Sequence, residues 1–269
     1  MVSVYETLRD ALRARAPVAL VTVIEGPGLG NKLLVRPGQA DLGSLGDTEL
    51  DRVAGRDARA ELEAGRTGVR HYGSSGETNP EEAGVTPVSV FIESFAPPPQ
   101  MLIFGAVDFT AALARVAKIL GYRVTVCDAR EIFATRRRFP MADEVVVEWP
   151  NRLLDRVGPT LGPRDAVCVL THDPKFDVPA IVGALQSRVG YIGVMGSRKT
   201  HAKRMERLAE AGVTSPEELE RVMAPIGLAI GARSPEETAI SICAEIIARR
   251  TGRDAGSLRE GTGPIHAAV

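Results

Sequence analysis

The sequence predicts an α/β protein with two domains, a small α+β domain followed by a domain with a doubly wound parallel sheet. The first observation is the run APPPQ at residues 96–100, in which three prolines fix φ and remove donors, so that it forms a stiff linker. The second is the regular alternation of short apolar runs with helical patterns after this linker, which implies a parallel sheet covered on both faces. We therefore expect an α+β domain at residues 1–95 and a Rossmann-like domain at residues 101–269.

The small domain is predicted to open with a helix on which Tyr5, Leu8 and Leu12 share one face. Asp47 is predicted to cap a second helix that runs to about Ala64, since an aspartate side chain accepts hydrogen bonds from first-turn amides. Short apolar runs predict three strands, at residues 18–24, 32–36 and 88–95.

The second domain is predicted from its alternating elements. Strands are expected at residues 101–104, 123–127, 144–147, 166–170 and 191–195. Helices are expected at residues 108–120, about 178–186, 199–211 and from 235 onwards. Ligands of such sheets bind beyond the carboxyl ends of the strands, at the switch in strand order, so the residues that follow the strands are the candidates for function.

Two helices of the second domain have predicted inward faces. In the first, helical spacing is shared by Phe109, Leu113, Val116 and Leu120. The last helix begins at SPEE, residues 234–237, where serine caps, proline occupies the first turn and Glu237 closes a capping box. Its inward residues are predicted to be Ile240, Cys243, Ala244 and Ile247.

Composition excludes several classes of function. A net charge of −1 and a sequence pI of about 6.5 leave no whole-molecule field that would attract nucleic acid or an anionic membrane. No apolar run approaches the roughly 18 residues that span a bilayer. Cys127, Cys168 and Cys243 lie far apart in apolar stretches, which predicts buried thiols in a reducing cytoplasm and no structural zinc site.

The first candidate loop lies in LIFGAVDFTAALA, residues 102–114, where a strand, a loop and a helix resemble the opening of a dinucleotide-binding unit. Only Gly105 of the usual three glycines is present. Val107 replaces the second, next to Ala106, and Asp108 would repel a phosphate. Asp128, 23 residues after Gly105, stands where an acidic residue usually binds ribose. The loop is predicted to keep the fold without the ordinary NAD pose, and Asp128 is either a ribose ligand or a strand-end cap.

Two further candidates follow later strands. Thr171, His172 and Asp173 come after the strand at 166–170, where His172 is either a proton donor or hydrogen bonder in the crevice, or an ordinary turn residue. At 196–199 a glycine, a serine and two cations begin a helix, although cations are favoured at the opposite end. A bound anion such as a phosphate explains this arrangement, and a solvated basic face is the alternative. The run at 136–138 is a similar group of cations in a loop, for which a solvated basic loop is favoured over an anion site. Nothing in the sequence identifies a catalytic nucleophile.

Five segments together resemble the xanthine dehydrogenase accessory family of the XdhC/CoxI type. They are IFGAVDFTAALARVAKILGYRVTVCDAR, RFPMADEV, VLTHDPKFDVPAI, YIGVMGSRKTHAKRMERLAEAGV and APIGLAIGARSPEETAISICAEI. The resemblance implies an α+β domain followed by a Rossmann-like domain in a dimeric, non-enzymatic chaperone. It also implies binding of molybdenum cofactor, a pterin with a phosphate or a dinucleotide, and its delivery to a molybdenum hydroxylase, with a sulfurating cysteine desulfurase as a further partner.

The chain departs from the family pattern at several positions. The family usually has GAGH where this chain has GAVD at residues 105–108. Glu49 and Gly84 stand where the family has cysteines in its small domain. Soft thiolates suit molybdenum and sulfur chemistry, and neither a carboxylate nor a glycine replaces them. The sequence therefore predicts a divergent member that has kept the scaffold and changed part of the site.

Three functional hypotheses follow. The leading one is a non-enzymatic accessory protein that binds a phosphorylated cofactor over the carboxyl edge of the parallel sheet. The expected cofactor-binding residues are Gly105, Ala106, Val107, Asp108, Asp128, Arg130, Thr171, His172, Asp173, Gly196, Ser197, Arg198 and Lys199. The alternatives are an NAD(P)-dependent oxidoreductase, which Asp128 favours and Val107 opposes, and a ligand-free regulatory or interaction protein.

Overall fold

The computed structural model describes residues 3–78 and 85–260, which separate into two compact units, one up to Pro97 and one from Pro98 onwards. Over this described part of the chain, the first unit holds a five-stranded antiparallel sheet and the second a six-stranded parallel sheet. Within the same residues, no helix has both the length and the apolar character that crossing a membrane requires.

Apolar clusters cover both faces of the sheet in the first unit. Its elements in chain order are α1 (Val4–Arg13), β1 (Val18–Glu25), β2 (Lys32–Val35), β3 (Leu42–Ser44), α2 (Thr48–Ala64), β4 (Gly68–Gly73) and β5 (Pro87–Phe95). The strand order is β3-β2-β1-β5-β4. The prediction for α2 is confirmed, because the Asp47 carboxylate accepts from the Glu49 and Leu50 amides and the helix ends at Ala64 before a left-handed Gly65.

The prediction for the inward face of α1 is wrong at two of its three residues. Tyr5 is 71% exposed and Leu12 41% exposed, whereas Val4, Leu8 and Ala11 pack against the sheet. The stripe that contacts the sheet is the i, i+4, i+7 row that begins one residue earlier, and its residues are half-buried. On a helix this short, both rows satisfy helical spacing, and contact with the sheet selects between them.

The second unit has the predicted doubly wound architecture. Its strands are β6 (Gln100–Phe104), β7 (Arg123–Cys127), β8 (Glu144–Val146), β9 (Ala166–Val169), β10 (Tyr191–Val194) and β11 (Val222–Met223). Its helices are α3 (Asp108–Ile119), α4 (Pro150–Val157), α5 (Pro174–Leu185), α6 (Arg198–Glu210), α7 (Pro216–Glu220) and α8 (Pro235–Thr251), and short 3-10 turns cover Gly158–Thr160 and Leu258–Glu260. The strand order is β8-β7-β6-β9-β10-β11, with all strands parallel. From β6 the chain adds β7 and β8 on one side, and it then adds β9, β10 and β11 on the other side. The switch between β6 and β9 is where such sheets bind ligands.

Helices cover both faces of the parallel sheet. Along β6, Met101 and Ile103 point into one apolar core and Leu102 and Phe104 into the other, as strand alternation requires. Residues of α3 and α8 fill the first core, and residues of α4, α5 and α6 fill the second. In α3, Leu113 is fully buried and Phe109 and Val116 pack against the core as predicted, but Leu120 follows the helix and is 38% exposed.

The start of α8 is predicted correctly, but of its four predicted inward residues only Cys243 is buried, and Ala244 is half-buried. Ser234 accepts from the Glu237 amide and the reciprocal contact completes the capping box. The core, however, contains Ala239, Ile242, Cys243 and Ile246, and leaves Ile240 54% and Ile247 38% exposed. Apolar residues surround most of this helix, so spacing alone does not identify the buried stripe. The small Ala239 faces the core and the larger Ile240 does not.

The short elements β3, β4, β11, α4 and α7 were not among the predicted ones. Each is brief, and β3 and β11 have only three and two residues, which is too few for a periodic signal. Helix α5 begins at Pro174, four residues before the predicted start, because Asp173 caps it by accepting from the Lys175 amide.

Candidate functional site

The predicted site loops follow the carboxyl ends of neighbouring parallel strands and therefore lie along one edge of the sheet. The loop at 105–108 follows β6, Asp128 and Arg130 follow β7, the loop at 171–173 follows β9, and the loop at 196–199 follows β10. Strands β6 and β9 are adjacent at the switch point. The contacts described below link these loops into one continuous edge.

The Gly105 turn packs directly against the loop after β9. Gly105 has φ +107°, and a Cβ there would stand 2.9 Å from the Thr171 amide nitrogen. Two reasons therefore exclude a side chain here: the left-handed backbone conformation and the close approach of the Thr171 backbone. This glycine is explained by close packing of the two loops.

The Asp128 carboxylate is saturated by protein donors. Its Oδ2 accepts from the Ala106 amide at 2.8 Å and from Arg130 Nη2 at 2.8 Å. Its Oδ1 accepts from the Arg130 amide and from Arg130 Nε, both at 2.9 Å. Burial works to raise the pKa of Asp128, but the hydrogen bonds from Arg130 and from these amides hold it below its ordinary value. The carboxylate therefore clamps the loop, and the Ala106 amide that a pyrophosphate would need is already in use.

The start of α3 is also closed by the protein's own groups. The buried Thr110 hydroxyl donates to the Gly105 carbonyl, and Arg138 Nη1 donates to the Ala106 carbonyl at 2.9 Å. Among the described residues, no side-chain cap is formed at Val107. Asp108, whose side chain is 92% exposed, faces Arg138 at 3.6 Å. This acidic first turn favours the helix dipole and opposes a phosphate.

The arginine run at 136–138 is thus only partly solvated, which corrects its interpretation as a solvated loop. Arg136 donates to the carbonyls of Ala142 and Asp143, and Arg138 holds the Ala106 carbonyl. Arg137 is exposed.

The loop after β9 divides into a buried and an exposed part. Thr171 is buried; its hydroxyl donates to Asp177 Oδ1 at 2.8 Å and accepts from the Asp173 amide at 3.0 Å. Asp173 caps α5. His172 is exposed, and its side chain has no hydrogen-bond partner in the part of the chain that the structure describes. Thr171 and Asp173 would have to break their hydrogen bonds to bind a ligand through their side chains, whereas His172 would not.

A buried ion pair connects this loop to the next one. Arg204 Nη2 lies 3.0 Å from Asp177 Oδ2, and the two side chains are 3% and 5% exposed. The same nitrogen donates to the Met195 carbonyl at 2.9 Å, at the end of β10. Burial raises the pKa of Asp177, although the hydrogen bonds from Arg204 and Thr171 act to lower it. The pair ties the first turn of α5 to the turn that begins α6.

The Gly196 turn differs from the Gly105 turn in what it leaves available. Gly196 has φ +139°, and the Ser197 hydroxyl caps α6 by accepting from the Thr200 amide at 3.1 Å. The first turn contains no acidic residue. Within residues 3–78 and 85–260, the exposed side chains of Arg198 and Lys199 form no hydrogen bond or ion pair. Their first-turn amides lack helical acceptors, as at any helix start.

Two buried nitrogen atoms beneath this turn have no partner. They are Arg204 Nη1 and His201 Nδ1, for which no described residue supplies a hydrogen bond. A Cβ on Gly196 would stand 3.4 Å from Arg204 Nη2, so this guanidinium lies directly under the turn. Burial, with a smaller contribution from the Arg204 charge, lowers the pKa of His201. Arg204 Nη1 is a donor in every protonation state, whereas the role of His201 Nδ1 depends on the tautomer. Buried polar atoms without a partner are rare, which makes this the part of the edge most in need of a ligand.

The expected cofactor-binding residues leave out several residues of this edge. They are Asp177 and Arg204 of the ion pair, Arg138, and the aromatic residues Phe133, Trp149 and Phe176, which follow β7, β8 and β9. A signal for Arg204 was present, because His201, Arg204 and Leu208 follow one helical stripe and Leu208 is buried. The aromatic residues carried only the signal that each follows a predicted strand.

The residues that could bind a metal or sulfur are few. Cys127, Cys168 and Cys243 are buried free thiols, as predicted, and burial, with smaller contributions from nearby acidic groups, raises the pKa of Cys127 to about 12. The described residues contain no cluster of three or more histidine, cysteine, aspartate or glutamate side chains suited to a metal ion. Glu49 lies in the first turn of α2, paired with Arg52 at 2.8 Å, and Gly84 lies outside the described residues.

Comparison with known families gives two matches in chain order. A model described as the XdhC and CoxI family matches residues 11–73, and one described as the XdhC Rossmann domain matches residues 101–246. The crystal structure of a xanthine dehydrogenase from Bacillus halodurans superposes with a TM-score of 0.51 at 21% identity, covering 96% of this chain and 98% of that one. At that identity the similarity establishes the fold alone.

The chain is similar to three curated relatives. It is 35% identical over 162 residues to a protein of Bacillus subtilis (strain 168) named as a probable component of xanthine dehydrogenase, covering 60% of this chain and 46% of the relative. It is 26% identical over 167 residues to the molybdenum cofactor insertion chaperone PaoD of Escherichia coli (strain K12), covering 62% and 45%. It is 23% identical over 256 residues to the uncharacterized protein YqeB of the same organism, covering 92% and 46%. The matches thus span less than half the length of these relatives.

Proposed function

The chain belongs to the XdhC and CoxI family, and from that premise we propose that it is an accessory protein for the maturation of a molybdenum hydroxylase. In this role it binds molybdenum cofactor, or a related phosphorylated nucleotide cofactor, and presents it to the client enzyme. Its partners are the hydroxylase and a second copy of the chain. The names of two relatives, a probable component of xanthine dehydrogenase and a molybdenum cofactor insertion chaperone, support this proposal.

The observation that carries the proposal is the Gly196 turn. Ser197 supplies a cap, Arg198 and Lys199 supply cations without partners among the described residues, and α6 supplies first-turn amides. A helix N-terminus of this kind attracts a phosphate through its amides and its dipole. The unpartnered Arg204 Nη1 beneath the turn is a second, independent sign that a ligand belongs there.

The side chains at this edge fit the phosphate of the cofactor but not its molybdenum centre. The basic helix start fits the phosphate, which every form of the cofactor carries. The described residues offer no thiolate for the metal, since all three cysteines are buried. When bound, the cofactor supplies the molybdenum centre that the hydroxylase uses. This chain would therefore hold it by its organic part.

The remaining candidate residues take supporting places in this proposal. Gly105, Ala106 and Val107 form the closed turn that fixes the edge, with Asp108 repelling a phosphate from it. Thr171 and Asp173 fix the middle loop, from which the exposed His172 is able to reach a ligand. Asp128 and Arg130 belong to the far side of the edge. The phosphate thus binds after β10 rather than after β6.

The first experiment measures cofactor content. The protein is purified anaerobically from a host that makes molybdenum cofactor, and the extracted, oxidised fluorescent pterin is quantified per chain. We expect near-stoichiometric pterin in the wild type and a markedly lower content in Arg198→Ala. The loss of a charge-assisted hydrogen bond, about 1.5–3 kcal/mol, weakens binding by roughly tenfold or more. Arg207→Ala, which removes the same charge about two and a half turns along α6, is the matched control and should retain the wild-type content.

A folded wild-type protein without pterin would exclude the carrier function. Equal pterin in Arg198→Ala and Arg207→Ala would exclude the anion site at the Gly196 turn while leaving the carrier function intact.

A further inference from the structure

A second feature of the same edge is a row of aromatic and arginine side chains that the phosphate site does not use. Phe133 follows β7, Trp149 follows β8 at the start of α4, and Phe176 lies in the first turn of α5 after β9. The chain has one tryptophan and seven phenylalanines in all. Three of these eight rings therefore lie at the carboxyl edge of the parallel sheet.

The row is continuous. The guanidinium carbon of Arg130 lies 4.6 Å from the centroid of the Phe133 ring and 5.7 Å from that of Phe176. The Phe176 and Trp149 centroids are 4.9 Å apart with their planes tilted by 38°. Arg138 adds a second cation 5.7 Å from the Phe133 ring. These distances are those of cation–π and aromatic contacts.

The central cation of the row is held in a fixed orientation. Asp128, buried beneath it, accepts from both Arg130 Nε and Arg130 Nη2, which fixes the plane of the guanidinium. The clamp that closes the Gly105 turn therefore also presents Arg130 to its aromatic neighbours. A preorganised planar group of this kind loses little conformational freedom when a ligand stacks on it.

The row remains substantially open to solvent. Trp149 is 43% exposed, Phe133 39%, and the Arg130 side chain 44%. Single exposed apolar side chains are ordinary on a protein surface, but these rings contact one another and the Arg130 guanidinium, so they form a patch. Their place beyond the carboxyl ends of the strands is where open α/β sheets bind ligands.

We infer that Phe133, Arg130, Phe176 and Trp149 form a stacking site for a planar nitrogen heterocycle, a pterin or a purine ring. Aromatic faces and arginine planes bind such rings by stacking, and nearby cations favour a ligand that carries a phosphate. This inference rests on the proposed function for the identity of the molecule that carries the ring. The stacking chemistry itself depends only on the row.

Trp149 makes the inference directly measurable, because its fluorescence is the only tryptophan signal of the chain. The full-length protein is titrated separately with 6-hydroxymethylpterin, with GMP and with inorganic phosphate. A free tryptophan analogue corrects for absorption by the probes. We expect saturable quenching by at least one of the two rings and none by phosphate.

Variants test the named residues. Phe133→Leu keeps an apolar side chain but removes the ring, and should weaken ring binding about fivefold or more, since a stacked base contributes about 1–3 kcal/mol. The matched control is Ile132→Ala, whose side chain precedes Phe133, is 78% exposed and belongs to no ring contact. It should bind as the wild type does. Circular dichroism of both variants verifies the fold.

The outcomes separate the two proposals. Quenching by the pterin or by GMP that Phe133→Leu weakens and Ile132→Ala does not supports the stacking site and identifies which ring it takes. Quenching by neither ring, or equally by phosphate, or unchanged in Phe133→Leu, overturns the stacking site, even if the purified protein contains pterin. Saturable ring binding in a protein purified without pterin keeps the stacking site and overturns the carrier function instead.

Discussion

The turn after β6 and the turn after β10 share one local design and differ in what surrounds it. Each has a glycine in the left-handed region, Gly105 at φ +107° and Gly196 at φ +139°, and a helix begins within three residues after it. At the first turn, the Ala106 amide and carbonyl are bound by Asp128 and Arg138. At the second, the serine cap is followed by two cations that have no partner among the described residues.

The difference shows that a strand-turn-helix unit is not by itself a binding site. A phosphate needs amides and charge that the protein has not already engaged. In the turn after β6, the protein supplies its own anion, the Asp128 carboxylate, at the Ala106 amide where a ligand's anion would go. Among the described residues, no carboxylate takes that place in the turn after β10. The only buried acid near this turn among the same residues is Asp177, which is paired with Arg204.

The largest expected effect is on the support of the second turn. Arg204→Met leaves Asp177 as a buried, unpaired carboxylate, which should lower the free energy of unfolding by about 3–5 kcal/mol. Urea denaturation followed by Trp149 fluorescence measures this in the unit that contains the pair.

The double variant Asp177→Asn, Arg204→Met is the control for that loss. It removes both charges while the asparagine oxygen still accepts from the Thr171 hydroxyl, so it should be more stable than Arg204→Met alone. A single variant that loses less than about 1 kcal/mol, or a double variant no better than the single, would show that the pair does not support this turn.

The next effect concerns the clamp of the first turn. Asp128→Asn removes the charged acceptor of four hydrogen bonds and should cost about 1.5–3 kcal/mol at neutral pH. The pKa of Asp128 is lowered in the folded protein, so its stabilisation is full above the ordinary value of 3.8 and is lost as the pH falls through the lower folded value. The difference between wild type and variant should therefore shrink below about pH 4.

Urea midpoints at pH 7, 4 and 3 measure this dependence. Asp108→Asn is the matched control, because it removes an exposed carboxylate from the same turn and should change stability little. A gap between wild type and Asp128→Asn that stays constant with pH would mean that the ionised carboxylate does not hold the clamp.

The comparison also shows what the sequence predicts and what it does not. The alternation of apolar runs and helical patterns predicted the parallel sheet, and the buried cysteines followed from their apolar surroundings. The inward stripe of α8 was wrong at Ile240 and Ile247, although Cys243 is buried as predicted. Ile240 and Ile242 have the same hydrophobicity, and only packing decides which of them faces the core. Periodicity identifies a stripe reliably only where the opposite face is polar.

For the candidate site, the sequence placed the loops on one edge but could not assign the contacts within it. Asp128 follows its strand as predicted, yet Arg130, two residues later, turns back and occupies both carboxylate oxygens. Nothing in the spacing distinguishes an aspartate that awaits a ribose from one that is already paired. The ion pair of Asp177 with Arg204 joins residues 27 apart, a separation at which sequence patterns carry no information.

The smallest expected effect tests the closed turn directly. Val107→Gly restores the second glycine of the dinucleotide fingerprint, which removes the side chain that would obstruct a pyrophosphate. We nevertheless expect no binding of NAD at micromolar concentration, because the Ala106 amide and both Asp128 oxygens remain engaged and Asp108 remains in the first turn. Stability should fall by roughly 1 kcal/mol, from lost partial burial and added backbone freedom.

Val107→Ala, which removes most of the side chain without that freedom, is the control. Micromolar NAD binding by Val107→Gly, measured by calorimetry, would show that the side chain alone had closed the turn, and the contrast between the two turns would then rest on one residue rather than on the Asp128 clamp.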